Sequence, residues 1–307
     1  MPLLIHPGFH KTGTSWLQQQ LFTDQRFFNM LFDHQEIDAL FISPHDLAFC
    51  ADTVRRTLEQ RRTEAPGDRI DVISSETLCG EMFTGSRLSV AMAERLAKTC
   101  DPAKILLTVR AQVPIARSIY MQYLKRGGRL PIEKFLTYRP QPSYGWFNVG
   151  VLQFGDLVRH YGALFGDDNV LVLPQELLAA DRQAYVRYLV RFASGNNEAD
   201  IPEADDRPRE GVSPPASGIG LLRAANLFRD GPLNPNAVRS MRPVGNILHR
   251  AAYRWTWGEK AAHRELADTI SRHISGRFAA SNHILQAYCP VNLAHYGYEM
   301  EPSERPA

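Results

Sequence analysis

The chain has 307 residues, of which 44% are hydrophobic and 22% charged, and its formal net charge is +2. That composition excludes disordered, collagenous and low-complexity classes and suits one large globular domain. A charge of +2 is too small to argue by itself for nucleic acid or an anionic membrane as partner.

In chain order, "PLLIHP" reads as a short buried strand, "GFHKTG" as a turn and "TSWLQQQLF" as a helix with Trp16, Leu17 and Leu21 on one face. "DTVRRTLEQRR", residues 52–62, is an amphipathic helix capped by Asp52 and broken by "APGD". "RIDVISSE" is a second strand ending at Ser74, and "SVAMAERLAKTC" a helix. "AKILLTVR", residues 103–110, is a third strand. "VPIARSIYMQYLKRGG" is a helix with Pro114 in its first turn and Gly127 at its end. "VGVLQFGDLVRHYGALFG" is another helix, "NVLVLP" a fourth strand and "DRQAYVRYLVRFAS" a further helix. Strands alternating with helices over residues 1–195 predict an α/β fold with a mostly parallel sheet, whose ligands bind at the carboxyl ends of the strands. Residues 196–217 read as a Pro- and Gly-rich loop. Residues 218–307 read as a mainly helical C-terminal part, acting as a lid, with helical stretches over "ASGIGLLRAANLF" and "EKAAHRELADTISRHISGRFAASNHIL".

The four cysteines form no C-x-x-C pair and give neither a zinc signature nor a disulfide framework. "MPLLIHPGF" lacks the basic start and apolar length of a signal peptide, and no window is long enough to span a membrane. The expectation is a cytoplasmic protein with no membrane span, no nucleic-acid partner and no metal. Lysine occurs only at positions 11, 98, 104, 125, 134 and 260; the remaining basic residues are arginines, whose forks suit planar oxyanions.

The turn "GFHKTGTSW" carries the chemistry. Gly8 and Gly13 have the spacing of the nucleotide-binding G-x-x-x-x-G-K-[ST] loop, and Ser15 stands where its magnesium-binding hydroxyl would be. Thr14 replaces the lysine, and the one lysine, Lys11, lies inside the loop. Such a turn aims backbone N–H groups and hydroxyls at an anion on a helix N-terminus. It lacks the lysine that reaches the β- and γ-phosphates, which counts against an ordinary ATPase or GTPase.

His10-Lys11-Thr12-Gly13-Thr14-Ser15-Trp16 resembles the 5′-phosphosulfate loop of sulfotransferases that use 3′-phosphoadenosine 5′-phosphosulfate (PAPS), in particular the bacterial "GFHKTGT" type. The resemblance covers residues 3–230. It implies a three-layer P-loop-like fold and transfer of a sulfuryl group to an acceptor hydroxyl, leaving adenosine 3′,5′-bisphosphate (PAP). Lys11 would stabilise the leaving oxygen, and residues 11–16 would hold the 5′-phosphate. The family reads the 3′-phosphate with a strand-end arginine and a serine eight residues on; "LLTVRAQVPIARSIY" supplies Arg110 and Ser118 at that spacing. "RPREGVSPPASGIG" resembles the family's late loop, with Arg209 and Ser213 as candidates. A strand-end arginine, a helical serine and a Pro-rich linker also have ordinary structural roles.

An attacking hydroxyl needs a base. Glu76, at the carboxyl end of the second strand, is the first candidate; a first-turn acid on the next helix is its structural alternative. His10 is the second. His6 reads as a core residue, His34, Glu36 and His45 as possible rim residues, and Glu176 as a cap or pairing partner. The family's "K-T/S-H-L-P" base motif is absent from the sequence. Aromatics in "QPSYGWFNVG" and "YRWTWGEK" either stack on an acceptor, such as a glycan, glycolipid or small alcohol, or pin their loops to the core. A divergent Mg-ATP kinase and a non-catalytic nucleotide-binding protein are the alternatives.

Overall fold

The four apolar runs form strands, and a fifth segment that carries no sequence signal joins them. The structure, a computed structural model, describes residues 3–138, 146–203, 213–235 and 237–301. The strands are β1 (Leu3–His6), β2 (Phe28–Met30), β3 (Ile70–Ser74), β4 (Lys104–Val109) and β5 (Val170–Pro174). They form one sheet in the order β2-β3-β1-β4-β5, and every pairing is parallel. β1, β3 and β5 are buried at every position, as interior strands of a parallel sheet are, and most of their residues are apolar. β2 is a three-residue edge strand whose burial fades along its length, too short to show a period of two.

The helices are α1 (Thr14–Trp16, extended by a π-type turn over Leu17–Leu21), α2 (His34–Ile37), α3 (Ala51–Glu64), α4 (Ser89–Cys100), α5 (Gln112–Lys125), α6 (Ile132–Thr137), α7 (Phe154–Phe165), α8 (Gln175–Ala180), α9 (Arg182–Ser194), α10 (Ile219–Ala225), α11 (Arg242–Arg254), α12 (Glu259–Ile274) and α13 (Ala279–Ala287). Three expectations shift. Asp52 is not the cap of α3: Cys50 holds that position, and Asp52 pairs with Arg55 in the first turn. The helix expected from Val149 opens as a separate 3₁₀ turn, Val149–Leu152, before α7. The long C-terminal stretch is two helices, α12 and α13, parted where Gly276 takes a positive φ of 79° that glycine adopts without a side-chain clash.

The chain divides into two compact units, Met1–Ala111 with Tyr144–Arg207 and Gly276–Ala307, and Gln112–Ser143 with Pro208–Ser275. The first holds the whole sheet. On one face Leu4, Val72, Leu106 and Leu173 pack with Leu17 and Leu21 after the loop and with Tyr185, Leu189 and Val190 of α9. The alternate residues Ile5, Ile73, Ile105, Leu107 and Val172 are equally buried, and α7 packs on β4 and β5. Fully burying one such side chain is worth about 1.5–3 kcal/mol, so these runs fix where the strand ends lie. The second unit is helical. Its buried Asn226 donates to the carbonyls of Leu124 and Gly128, both at 2.8 Å, tying α10 to the end of α5. The expected C-terminal part is therefore shared: α12 belongs to the second unit and α13 to the first. Among the described residues, no helix is long and apolar enough to cross a membrane.

Candidate active site

In the first unit the chain leaves β1, runs to the edge strand β2 and then β3 on one side, and crosses to β4 and β5 on the other. The strand order reverses between β1 and β4, and in open parallel sheets that is where a crevice forms at the carboxyl ends. The loop after β1 and the residues after β4 meet at this point.

The loop is a tight turn with three residues at positive φ: Gly8 at 36°, Lys11 at 67° and Gly13 at 96°. A Cβ on Gly8 would lie 2.6 Å from the Thr14 methyl and 2.8 Å from His6 Nε2, so only glycine closes the turn. Lys11 takes a left-handed backbone without glycine's freedom, at a cost of about 1 kcal/mol or more. A backbone of this kind persists only where the surrounding structure over-determines it. Gly13 is the N-cap of α1. The Trp16 N–H donates to the Gly13 carbonyl at 3.0 Å; the N–H groups of Thr14 and Ser15 precede the first intrahelical acceptor, and the positive end of the helix dipole lies there. Ser15 is exposed at this end, and Thr14 is buried beneath it.

Below the loop lies a buried polar floor. His6 is fully buried; its Nδ1 is 2.8 Å from Ser74 Oγ and its Nε2 is 3.2 Å from Thr108 Oγ1. Thr12 Oγ1 donates to the Phe9 carbonyl at 2.5 Å and lies 2.7 Å from Thr108 Oγ1. The Thr12 hydroxyl therefore shapes the loop from inside, while its backbone remains at the turn. Parallel register sets His6 beside Ser74, so the polar residues of β1, β3 and β4 interlock. Burial depresses the His6 pKa to about 3, against a smaller opposing pull from Glu76, and the ring is neutral at ordinary pH.

Glu76 starts a 3₁₀ turn at the end of β3, with Ser75 as its cap. Its Oε2 accepts from Gln18 Nε2 at 3.3 Å and lies 3.7 Å from His34 Nε2. His34 Nδ1 is 3.1 Å from Ser75 Oγ, which orients the ring. Burial pushes the Glu76 carboxyl up. Its own backbone N–H, Gln18, His10 and His34 together outweigh that and hold it below the usual carboxylate range. His10, half-buried in the loop, is thus electrostatically linked to Glu76. Gln18 and His34 lie at the Glu76 carboxylate, and His10 acts on it through charge.

Arg110 follows β4 and is half-buried. Its Nη1 donates to the Lys11 carbonyl at 3.4 Å, joining the end of β4 to the strained residue of the loop. Glu176, just after β5, accepts from the Ala111 N–H at 3.1 Å and from the Tyr298 hydroxyl at 3.3 Å. Burial raises its pKa, with Arg110 pulling it down. Glu176 is a pairing residue that steadies the segment carrying Arg110. Trp16 packs against the core, with the Arg182 guanidinium carbon 5.7 Å from its ring centroid. Ser118 lies half-buried on α5 and Ser213 is exposed, both in the second unit. Arg209 lies outside the described residues. Glu36 pairs with Arg61 away from Glu76, and His45 is exposed.

Gln18 and Thr108 were not singled out from the sequence, and Ser74 was placed only as the end of its strand. Each left a trace. Thr108 is the polar residue in the buried part of β4 and Ser74 ends β3, and Gln18 sits one turn past Thr14, where helical geometry returns a side chain toward the loop. His34 belongs to a short separate helix, and no local pattern ties it to Glu76.

Beside the loop is a cleft of about 310 Å³. Phe9 from the loop and Cys79 from the turn begun by Glu76 line it, with Ser86, Asn148, Gln153 and His160. Phe9 is seated on Phe154, ring centroids 4.5 Å apart. Phe147 is buried and pins its loop to the core; Tyr144 lies outside the described residues. A second cavity, about 490 Å³, lies at the β2 edge among residues including Phe28, Met30, Arg61 and Arg69. Among the described residues, no three His, Cys, Asp or Glu side chains gather as a metal set.

No family model matches the chain, and no curated protein is similar to it at a significant level. Among solved structures, a sulfotransferase from Alicyclobacillus acidocaldarius is similar to it, with 18% identity and a TM-score of 0.48, over 83% of this chain and 96% of that one.

Proposed function

We propose that the chain is a sulfotransferase that moves a sulfuryl group from PAPS to an acceptor hydroxyl. The observation that supports this reading most is the junction of the loop with the end of β4. A strained Lys11 lies inside an anion-type turn, and Arg110 is bonded to its carbonyl. A turn closed by Gly8 and ending in the first-turn N–H groups of Thr14 and Ser15 fits a 5′-phosphate. A guanidinium at the neighbouring strand end fits a second phosphate.

The donor brings a sulfuryl group already activated by its bond to a phosphate oxygen. Lys11 stabilises the charge that develops on that oxygen as the bond to sulfur breaks. Glu76, ionised because its neighbours depress its pKa, takes the proton from the acceptor hydroxyl as the new oxygen–sulfur bond forms. His10 and His34 hold that carboxylate charged, and Gln18 aims it. The cleft lined by Phe9 and Cys79 gives the acceptor room beside the loop, and its mixed lining suits a hydroxyl-bearing molecule such as a sugar. Cytoplasmic location is part of the same proposal.

Release of PAP from PAPS, measured across a panel of sugar and small-alcohol acceptors, tests the reading. Metal-independent turnover with at least one acceptor is expected. Binding of PAP with no turnover on any acceptor would reassign the chain as a binding protein.

A further inference from the structure

In the second unit the usual distribution of apolar side chains is reversed over one stretch. Eight of the fourteen exposed large apolar residues among those described fall between Leu227 and Trp257, so the exposure is concentrated rather than scattered. α11 buries Gly245 and Ala252. At about 100° per residue, Pro243, Val244, Ile247, Arg250, Ala251 and Arg254 fall within an arc of roughly 120° on its other side. Ile247 is 66% exposed at the centre of that arc.

The helix then runs into the turn that carries Trp255 and Trp257. This turn is anchored: Ser217 Oγ donates to the Trp255 carbonyl, and the Glu259 carboxylate accepts from the backbone N–H groups of Ala216 and Ser217. Trp257 is nonetheless 83% exposed and Trp255 is 48% exposed. At the other end, the Val238 N–H donates to the Leu227 carbonyl and the Met241 N–H to that of Val238, which gathers three more exposed apolar residues at the start of α11.

The charge of this stretch identifies its partner. Residues 231–258 contain Arg239, Arg242, Arg250 and Arg254 and no Asp or Glu. Arg242, Arg250 and Arg254 are exposed and make no ion pair with a described residue. A second copy of the same surface would set arginine against arginine. Nucleic acid would satisfy the arginines but leave Val244, Ile247 and Met241 in water. An anionic lipid surface satisfies both: arginines reach headgroup phosphates, aliphatic side chains enter the acyl boundary, and tryptophans settle at the interface between them.

We propose that α11 and the Trp255–Trp257 turn form a docking surface for anionic membranes, on which the chain lies without spanning. The inference does not depend on the reaction proposed above.

Co-sedimentation of the full chain with vesicles tests it. The chain is expected to pellet with phosphatidylcholine vesicles containing phosphatidylglycerol, to stay in solution with phosphatidylcholine alone, and to be released by salt. Each arginine near the headgroups contributes about fivefold in affinity, so the Arg250→Glu/Arg254→Glu variant should lose at least tenfold. Trp257→Ala with Ile247→Ser should lose a similar factor at unchanged melting temperature, because both side chains face solvent. Tryptophan emission should shift to the blue on anionic vesicles, and the shift should vanish in Trp255→Phe/Trp257→Phe. Equal binding to neutral and anionic vesicles, no binding to either, or unchanged binding in both charge and apolar variants overturns the proposal. A concentration-dependent dimer without vesicles, lost in the same variants, also overturns it and assigns the surface to a second copy.

Discussion

The carboxyl edge of the sheet and the surface of α11 break the same rule in opposite directions. At the first, polar side chains are fully buried: His6, Thr12, Ser74 and Thr108 lie under the loop, each with a hydrogen-bond partner. At the second, apolar side chains are exposed on an anchored helix and turn. A buried polar group without a partner costs roughly 1–3 kcal/mol, so a floor built of four of them persists because all are satisfied. Exposed tryptophans forgo the stabilisation that burial would give. The contrast separates a region whose polar groups are held in fixed positions from a surface whose apolar groups have no cover among the described residues.

The largest effect is expected at the strained lysine. Lys11→Ala should lower kcat for PAP release by ~10²–10³-fold, as loss of one group that meets developing charge does elsewhere. A loss confined to KM would break the assignment of Lys11 to the leaving oxygen. Glu76→Gln should lower kcat by ~10²-fold with donor binding kept; His10→Ala should cost less if it acts by holding Glu76 charged. Because the Glu76 carboxyl sits below its usual range, the acid limb of the kcat/KM profile should lie below the ordinary glutamate value of about 4.3. His10→Ala should move that limb upward, and an unmoved limb would sever the two residues.

Arg110→Ala should weaken PAP about tenfold or more by calorimetric titration, the scale of a lost charge-assisted hydrogen bond. A smaller effect belongs to His6. Its folded pKa of about 3 lies below the ordinary 6.5, so below 6.5 the unfolded chain binds a proton that the folded chain refuses. Its contribution to stability is complete above pH 6.5 and lost as pH falls toward 3. Melting curves across that window should fall with pH in the wild type and less steeply in His6→Gln. The smallest effect is at the other region: Trp257→Ala should change stability by less than about 0.5 kcal/mol, and a larger loss would mean that the side chain packs in solution.

Much of the first region was legible in the sequence because its signals are local. The apolar runs gave β1, β3, β4 and β5, and "GFHKTGTSW" and the strand-end Arg110 placed the loop and its neighbour. β2 escaped because "FNM" is three residues long. α11 escaped because Gly245 and Asn246 weaken its helical propensity. The Gln18–Glu76–His34 cluster is assembled by tertiary packing of α1, β3 and α2, which no spacing along the chain records. The exposure of Trp255 and Trp257 likewise depends on what does not pack against them.

The central claim is that the loop and Arg110 hold a doubly phosphorylated adenosine without a metal. Thermal unfolding with adenosine 3′,5′-bisphosphate in the presence of EDTA tests it most directly. A rise in melting temperature that grows with ligand concentration, and that shrinks in Arg110→Ala, is the predicted result. No rise with the bisphosphate, or a rise only with Mg·ATP, would contradict it.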